Sequence, residues 1–555
     1  MHRTVLLTMK DATLQKTAAR LLVRLVHTLA VIGAGLGAGA CSLVVEQSAS
    51  QCESDADCAG FGAAVCSTEK VCISAAGASC ATNQECVGRL GPDYVCVASA
   101  SLCKSLRSDQ CQTIVGAPAS DDALIVGSIG PTGGLDEGIG VPIENAIRVA
   151  VSDFKEASAG IAEKPRPMVV VGCNDDSTPE TGVAAAEHLV SIGAPAIIGA
   201  AFSGITLKVK DVTVPAGALL ISPSATAVGI GALVDNSLVW RTAPPDTYQT
   251  QAIALYIDQH LKPQVAGAPP LKLAVLHRGD AYGKDLSKAL EEELILNGQR
   301  PTDASNANNY LRFDYGDPDD VENNPPKFEE AIAATLQLEP HIIVFAGFSE
   351  AVTDIFVPLE KDWDAAVARP FHVMTDGVVG SALWDNIGEN DALRLRVTGT
   401  TPGRARSNPV FQAFASNYRE SFMDGGEEVF GAAEAYDAAY LIAYAAAVAG
   451  DQTLTGQGLA QALGKMVPPG APINAGVDQL AEALDVLRAG DSIDYTGASG
   501  PLDFDLGKGE SPADIQIWCL PAGLDGRAQS AALSGLYLDA TDDTQLQGQL
   551  SSNCE

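Results

Sequence analysis

From residue 123 onward the chain alternates two kinds of apolar pattern. Short unbroken apolar runs occupy residues 123–127, 168–171, 196–199 and 218–221. Between the first two, Ile143, Ala146, Ile147, Ala150, Val151 and Phe154 recur at the spacing of one helical face. A second helix is predicted over 180–191, with Pro179 just ahead of it as a start signal. The alternation restarts near Leu271, with strands predicted at 271–276, 341–345 and 371–374 and a helix over 282–298. Strands that are apolar at every position are buried on both faces, and their alternation with helices makes them parallel. Two such series predict two α/β lobes, and a chain of 555 residues is too long for a single core.

In sheets of this kind ligands bind beyond the carboxyl ends of the strands, and two facing lobes enclose a cleft. Two strand ends here carry hydroxyls: Gly199-Ala200-Ala201-Phe202-Ser203-Gly204 and Ser222-Pro223-Ser224-Ala225-Thr226. Hydroxyls beside unpaired N–H groups at helix N-termini suit an anion such as a carboxylate. One such serine alone reads as a helix cap; two strand ends together favour binding. Asp376, in Thr375-Asp376-Gly377, is a candidate partner for a ligand ammonium or else a turn aspartate. Phe348, after Ala346-Gly347, is a candidate apolar wall or cation–π face, or ordinary packing.

The N-terminus carries an export pattern. Arg20 and Arg24 precede an apolar run over 25–40 that ends in Ala38-Gly39-Ala40, directly before Cys41. This is the layout of a signal peptide, predicted over 1–40; the run is too short and too interrupted to span a membrane. A cysteine after small residues resembles a bacterial lipobox, with Ala38 where leucine is usual, so Cys41 is the predicted lipidation site. Ordinary cleavage, with Cys41 as a disulfide partner, is the alternative. Ser42 after the cysteine points to the outer rather than the inner membrane, on the periplasmic or surface side.

Nine of the 13 cysteines lie between Cys52 and Cys111, a density that suits an oxidising compartment. They include two blocks that open alike, Cys-Glu-Ser-Asp-Ala-Asp-Cys and Cys-Ala-Thr-Asn-Gln-Glu-Cys. Each four-cysteine block is too small to bury a core and needs two disulfides, of unspecified connectivity. No Cys-x2-Cys pair and no histidine occurs between Cys52 and Cys111, so zinc is not expected. Residues 41–115 are read as a lipid anchor and cysteine-rich stalk that holds the main body off a membrane. Cys111, Cys173, Cys519 and Cys554 suffice for two further bridges. The tail over 526–555 is polar and reads as loose up to Cys554.

A formal net charge of −34 repels phosphate backbones and anionic lipid, which argues against nucleic acid as a partner. The chain has seven histidines and neither a His-Glu-x-x-His nor a Gly-x-Ser-x-Gly motif, and Gly464-Lys465 continues with Met466 rather than Ser or Thr. It is read as not an enzyme, with no cofactor and no metal.

Seven segments in order carry a family resemblance: Ile129-Gly130-Pro131-Thr132-Gly133; Ile198-Gly199 with Ser203; Ile221 to Thr226; Trp240-Arg241-Thr242 with Asp246 and Gln249; Tyr282-Gly283; Ala435-Tyr436-Asp437-Ala438; and Gly500 to Asp505. From about Asp122 to Ala522 the chain resembles the type I periplasmic binding proteins of the branched-chain amino acid ABC-importer group. The resemblance implies two doubly wound lobes joined by three hinge crossings, lobe one at 122–245 plus 403–497 and lobe two at 246–402 plus 498–525. It implies that Ser203, Ser224 and Thr226 hold a ligand carboxylate, that Asp376 takes the ammonium, and that Tyr282 and Phe348 close over an amino-acid-like ligand. Arg241 and Asp246 fall near the first crossing as hinge residues. The partner implied is an ABC permease; a ligand sensor or surface interaction protein without transport is the alternative. The chain departs from leucine-binding relatives in having Asp376 for Glu and Phe348 for Tyr. It also lacks a first-lobe aromatic near Leu135 and carries an atypical insert at 302–326.

Overall fold

The computed structural model describes residues 51–555 apart from 62–63, 67–69, 75–78, 135, 159–163, 266–269, 404–407, 423–429 and 555. The predicted signal peptide, Cys41 and Leu135 therefore lie outside the described residues. Two sheets dominate. The first contains β1 (Cys111–Val115), β2 (Leu124–Gly130), β3 (Met168–Asn174), β4 (Ala196–Ile198), β5 (Leu219–Ser222) and β6 (Val239–Arg241), in the spatial order β6-β5-β4-β2-β3-β1. All pairs are parallel except β1 against β3. Every residue of β2, β4 and β5 is buried, as their unbroken apolar runs require.

Helices cover both faces of this sheet. They include α1 (Glu137–Ala157), α2 (Pro179–Ser191) and α3 (Ser203–Ala216). Thr178 caps α2 by accepting the Thr181 N–H, and Pro179 occupies the first turn, where its missing N–H costs nothing.

The second sheet begins with β7 (Leu273–His277), β8 (Tyr310–Asp314), β9 (Ile342–Ala346), β10 (Phe371–Met374) and β11 (Val397–Pro402), all parallel. The chain then returns to the first lobe through α10, counted in chain order after five helices that pack on the second sheet. Those five are α4 (Asp246–Tyr256), α5 (Ala281–Glu293), α6 (Phe328–Leu338), α7 (Val357–Asp362) and α8 (Ser381–Ile387), with the single turn α9 (Asp391–Arg394) after them. The returning segment holds α10 (Pro409–Ser421), α11 (Ala432–Ala449), α12 (Gly456–Leu463) and α13 (Val477–Arg488), with the paired strands β12 (Ala471–Asn474) and β13 (Ile493–Thr496). Helix α11 is buried on all sides from Ala432 to Ala446, Glu434 and Asp437 included, so it runs through the centre of the first lobe's core against α1.

The C-terminal segment departs from the sequence reading. Residues 526–555 are not a loose tail. After β14 (Ile515–Cys519), β15 (Ala532–Asp539) and β16 (Asp542–Gly548) add two antiparallel strands to the second sheet, giving the order β8-β7-β9-β10-β11-β14-β15-β16. Leu536 and Leu538 enter the core, and Cys519–Cys554 ties the end of the chain to β14.

The cysteine-rich segment forms two modules, each bridged first-to-third and second-to-fourth: Cys52–Cys66 and Cys58–Cys72, then Cys80–Cys96 and Cys86–Cys103. The second module does not stand free of the main body as a simple spacer. Val95 and Leu106 join the core cluster around α2, the Leu106 carbonyl meets His188 Nε2 at 2.9 Å, and Asp121 Oδ1 accepts the Asn83 N–H. Its chain continues directly into β1, which Cys111–Cys173 bonds to β3.

Burial in the first lobe sets a pH dependence. Burial raises the Glu434 carboxyl to about 8 against accepted N–H bonds from its own and the Gly431 backbone, and it raises Asp175 to about 7. A carboxyl raised on folding holds a proton that the unfolded chain releases. Its stabilising effect is therefore complete below the unfolded value near 4.5 and is lost as pH rises through 8. Melting temperature is expected to fall between about pH 5 and pH 8, and Glu434→Gln is expected to flatten that fall by up to one proton, about 1.4 kcal/mol per pH unit. Thermal denaturation at several pH values measures the slope.

Candidate functional site

The sheet orders reverse beside β2 in the first lobe and beside β7 in the second, and the predicted site residues follow the carboxyl ends of neighbouring strands. Ser203 follows β4, Ser224 and Thr226 follow β5, Tyr282 follows β7, Phe348 follows β9 and Asp376 follows β10.

On the first-lobe side, the turn after β4 passes so close to β2 that only glycine fits. Gly199 has φ +133°, and a Cβ there would lie 2.3 Å from the Ile129 carbonyl oxygen. Ser203 then opens α3, whose first-turn N–H groups have no acceptor within the helix. The Ser203 hydroxyl accepts the Ala227 N–H at 3.2 Å and keeps its own proton to donate. The Ser222 hydroxyl donates to Ala200 O at 2.6 Å and the Ser224 hydroxyl to Ala201 O at 2.9 Å, so the two loops are pinned together. Ser224 thus spends its proton within the protein. The Thr226 side chain lies against the Asp246 carboxyl, and its backbone carbonyl accepts the Asp246 N–H at 2.9 Å.

On the second-lobe side, Asp376 Oδ1 accepts the Tyr282 hydroxyl at 2.9 Å and Gln249 Nε2 at 2.8 Å. Tyr282 in turn lies 2.8 Å from the Thr375 hydroxyl. Burial raises the Asp376 carboxyl, only partly countered by the Gln249 and Tyr282 hydrogen bonds. Asp246, fully enclosed beside it, is raised well above the usual range by burial and then by the Asp376 charge. This corner holds two buried carboxyls that are costly to ionise without a cation beside them, and it suits a cationic group.

Three rings stand between the lobes. Phe348 stacks on Tyr282 with centroids 5.5 Å apart and planes at 11°, and Phe202 of the first lobe meets Phe348 at 4.7 Å. The Arg278 guanidinium lies on Phe348, 5.0 Å from its centroid. Gly377 makes room for this arrangement, since a Cβ there would come within 2.7 Å of the Phe348 ring.

All six predicted residues follow carboxyl ends of strands, Ser203, Ser224 and Thr226 in the first sheet and Tyr282, Phe348 and Asp376 in the second, and the Phe202–Phe348 contact joins the two groups. The structure also shows residues that the sequence reading passed over. Phe202 supplies a first-lobe aromatic that was not found near Leu135; its signal was a large ring directly before the hydroxyl at the helix start. Gln249, one helical turn after Asp246 and given no role in the sequence reading, donates to Asp376. The atypical insert has a place too: its Asp317 and Asp319 both bind Arg278, which also faces Asp280 and Glu350. At the hinge, Arg241 pairs with Glu510 and donates to the Ala225 and Ala227 carbonyls. The lobes also touch where Gly229 N–H donates to Asp285 Oδ2 at 2.8 Å.

Two parallel-sheet lobes with strand-end residues facing one another across a hinged cleft define the bilobal binding-protein class. Residues 124–298 match the periplasmic binding protein family. The Leu/Ile/Val-binding protein BraC3 of Rhizobium johnstonii is 27% identical over 197 residues, covering 35% of this chain and 50% of that protein. The chain spans about half the length of the curated relatives it matches. Among solved structures, the substrate-binding protein LivJ of Streptococcus pneumoniae, in complex with isoleucine, aligns with a TM-score of 0.54 at 19% identity. That alignment covers 74% of this chain and 99% of that one. An ABC-transporter solute-binding protein of Rhodopseudomonas palustris, in complex with 3,4-dihydroxybenzoic acid, also aligns at 0.54, with 16% identity and coverage of 76% and 99%. The chain has the fold of these solute-binding proteins, and its residues 124–298 are similar in sequence to the periplasmic binding protein family.

Proposed function

We propose that this protein captures a small amino-acid-like ligand in the interlobe cleft, on the extracytoplasmic side of a bacterial envelope, and closes on it. The observation that supports this reading is that Phe202, directly before Ser203, packs on Phe348 of the second lobe, which brings the strand ends of the two lobes together. The first-lobe corner offers the Ser203 hydroxyl and the first-turn amides of α3 to a carboxylate. The second-lobe corner offers the desolvated Asp376 to an ammonium. Phe202, Phe348 and Tyr282 lie between them and suit a compact apolar body. Ser224 and Thr226 complete the carboxylate corner, Ser224 through its backbone. The relatives' own ligands, Leu/Ile/Val by name, isoleucine and a dihydroxybenzoic acid, bracket the chemistry as an amino acid or related carboxylate or amide.

In this reading the ligand leaves unchanged, so the protein is a binder and not an enzyme, and an ABC permease is the partner that receives the ligand. Cys41 carries the lipid anchor. The second disulfide module packed on α2 favours a second reading, a ligand sensor or surface interaction protein of the same fold, because docking of a rigid module is not needed for delivery to a permease.

A thermal-shift panel of branched-chain amino acids, small amides and aromatic acids tests the proposal. A ligand that binds only the folded state raises stability by about 2.7 kcal/mol at 100-fold over its dissociation constant. An upward shift with an amino acid is expected. No shift across the panel moves the function to partner binding.

A further inference from the structure

A second cavity lies in the second lobe, at the opposite end of its strands from the cleft. Its volume is about 310 Å³, and its walls come from α7, α8, α9 and the segments that lead into β10 and β11. Asp376 follows the carboxyl end of β10, whereas Arg369 precedes the amino end of β10 and Arg396 directly precedes β11. The cavity therefore belongs to neither the cleft nor the hinge.

Its charge is the reverse of the rest of the molecule. Glu360 is the one acidic residue in the lining, and both of its oxygens are already engaged. Arg396 binds it in a fork, Nη1 to Oε1 at 2.9 Å and Nη2 to Oε2 at 2.8 Å. Arg369 Nη1 adds a bond to Oε2 at 2.6 Å, and buried His372 Nε2 meets Oε1 at 2.6 Å. Burial alone would raise the Glu360 carboxyl; the bonds from His372 and Arg396 outweigh it and hold Glu360 below the usual carboxylate range. One carboxylate thus faces two guanidiniums, and Lys361 adds a third positive charge to the same wall. In a chain of net charge −34, this is a local positive excess around a concavity.

The remaining walls set the shape of an occupant. Arg369 uses only Nη1 on Glu360, and its side chain is 40% exposed, which leaves the other edge of its fork toward solvent and the cavity. Phe356 and Leu393 contribute apolar surface. A planar guanidinium edge beside apolar surface matches a carboxylate with a hydrocarbon body better than a fully hydrated inorganic anion. A volume of about 310 Å³ is at the small end of ligand sites.

We infer that this cavity is a second ligand site, independent of the cleft, that binds a small organic carboxylate through Arg369 and Lys361. The probe is benzoate, titrated into the full-length protein by calorimetry, with inorganic phosphate as the competitor. The double variant Arg369→Ala/Lys361→Ala is compared with Ser203→Ala, which alters only the cleft. The site is upheld if benzoate binding weakens at least tenfold in the double variant and persists in Ser203→Ala. Absence of benzoate binding overturns it, as does binding lost in Ser203→Ala and kept in the double variant, which would locate benzoate in the cleft. Displacement of benzoate by phosphate at equal concentration overturns the assignment to an organic carboxylate. Arg369→Lys, which keeps the charge but loses the planar fork, is expected to weaken benzoate less than Arg369→Ala.

Discussion

Asp376→Asn is expected to abolish the ligand-induced rise in melting temperature while leaving the ligand-free protein as stable as before, or more so. The two halves of this result have one cause. Asp376 is a desolvated carboxyl whose protein partners, Gln249 and Tyr282, are neutral. Without a cation it is an unpaired charge, and an amide oxygen can accept the same two hydrogen bonds. Replacing it therefore removes a desolvation penalty in the empty state. In the ligand-bound state the same change deletes a charge-assisted pair, and removal of one member of such a pair costs about 2–5 kcal/mol. At about 1.4 kcal/mol per factor of ten, affinity falls by roughly thirtyfold to several thousandfold. Titration calorimetry measures the affinity and ligand-free thermal denaturation measures the stability. A fall in both would make Asp376 a structural residue.

Arg278→Ala is expected to be the most destabilising single change in the second lobe. Arg278 is nearly fully buried, faces Asp280, Asp317, Asp319 and Glu350, and lies on the ring of Phe348. Burial already raises Asp280 to about 6 even with the guanidinium beside it. Deleting this cation leaves four carboxyls to repel one another, three of them, Asp280, Asp317 and Glu350, with little water to screen them. Breaking a buried pair costs about 3–5 kcal/mol. For a lobe of this size that corresponds to a fall in melting temperature of roughly 6–20 °C. Because protonation relieves the repulsion, the loss is expected to shrink as pH is lowered toward about 5. Thermal denaturation of wild type and variant at two pH values checks both points; a pH-independent loss would assign the effect to packing alone.

Strands buried on both faces were legible from their continuous apolar runs, as in Phe371–Met374, which matches its predicted span, whereas Tyr310–Asp314 and Val397–Pro402 carry no such run and were not predicted. Helix ends were harder. The helix predicted over 282–298 stops at Glu293, since Leu294 turns extended so that it and Leu296 can enter the core, and Asn297-Gly298 takes positive φ in the turn that follows. That Asn-Gly pair was a turn signal in plain sight. The last strand, Asp542–Gly548, had no such signal: it is a polar, largely exposed edge held by its neighbour, by Leu546 against the core and by Gln251 on the Asp543 carbonyl. The same distinction runs through the site. Ser203, Ser224 and Thr226 stand on short loops after recognisable strands. The Arg278 network joins residues 39 and 41 positions apart through an insert of no apparent periodicity, so nothing local announces it.

The central claim is that a small molecule bearing a carboxylate and an ammonium is held between the lobes. A crystal structure grown with the strongest hit of the thermal-shift panel tests it most directly. The account predicts ligand density between the lobes, beside the Phe202 and Phe348 rings, with the carboxylate at Ser203 and the first turn of α3 and the ammonium at Asp376. Density only outside the cleft, or a ligand whose cationic end lies away from Asp376, would contradict it.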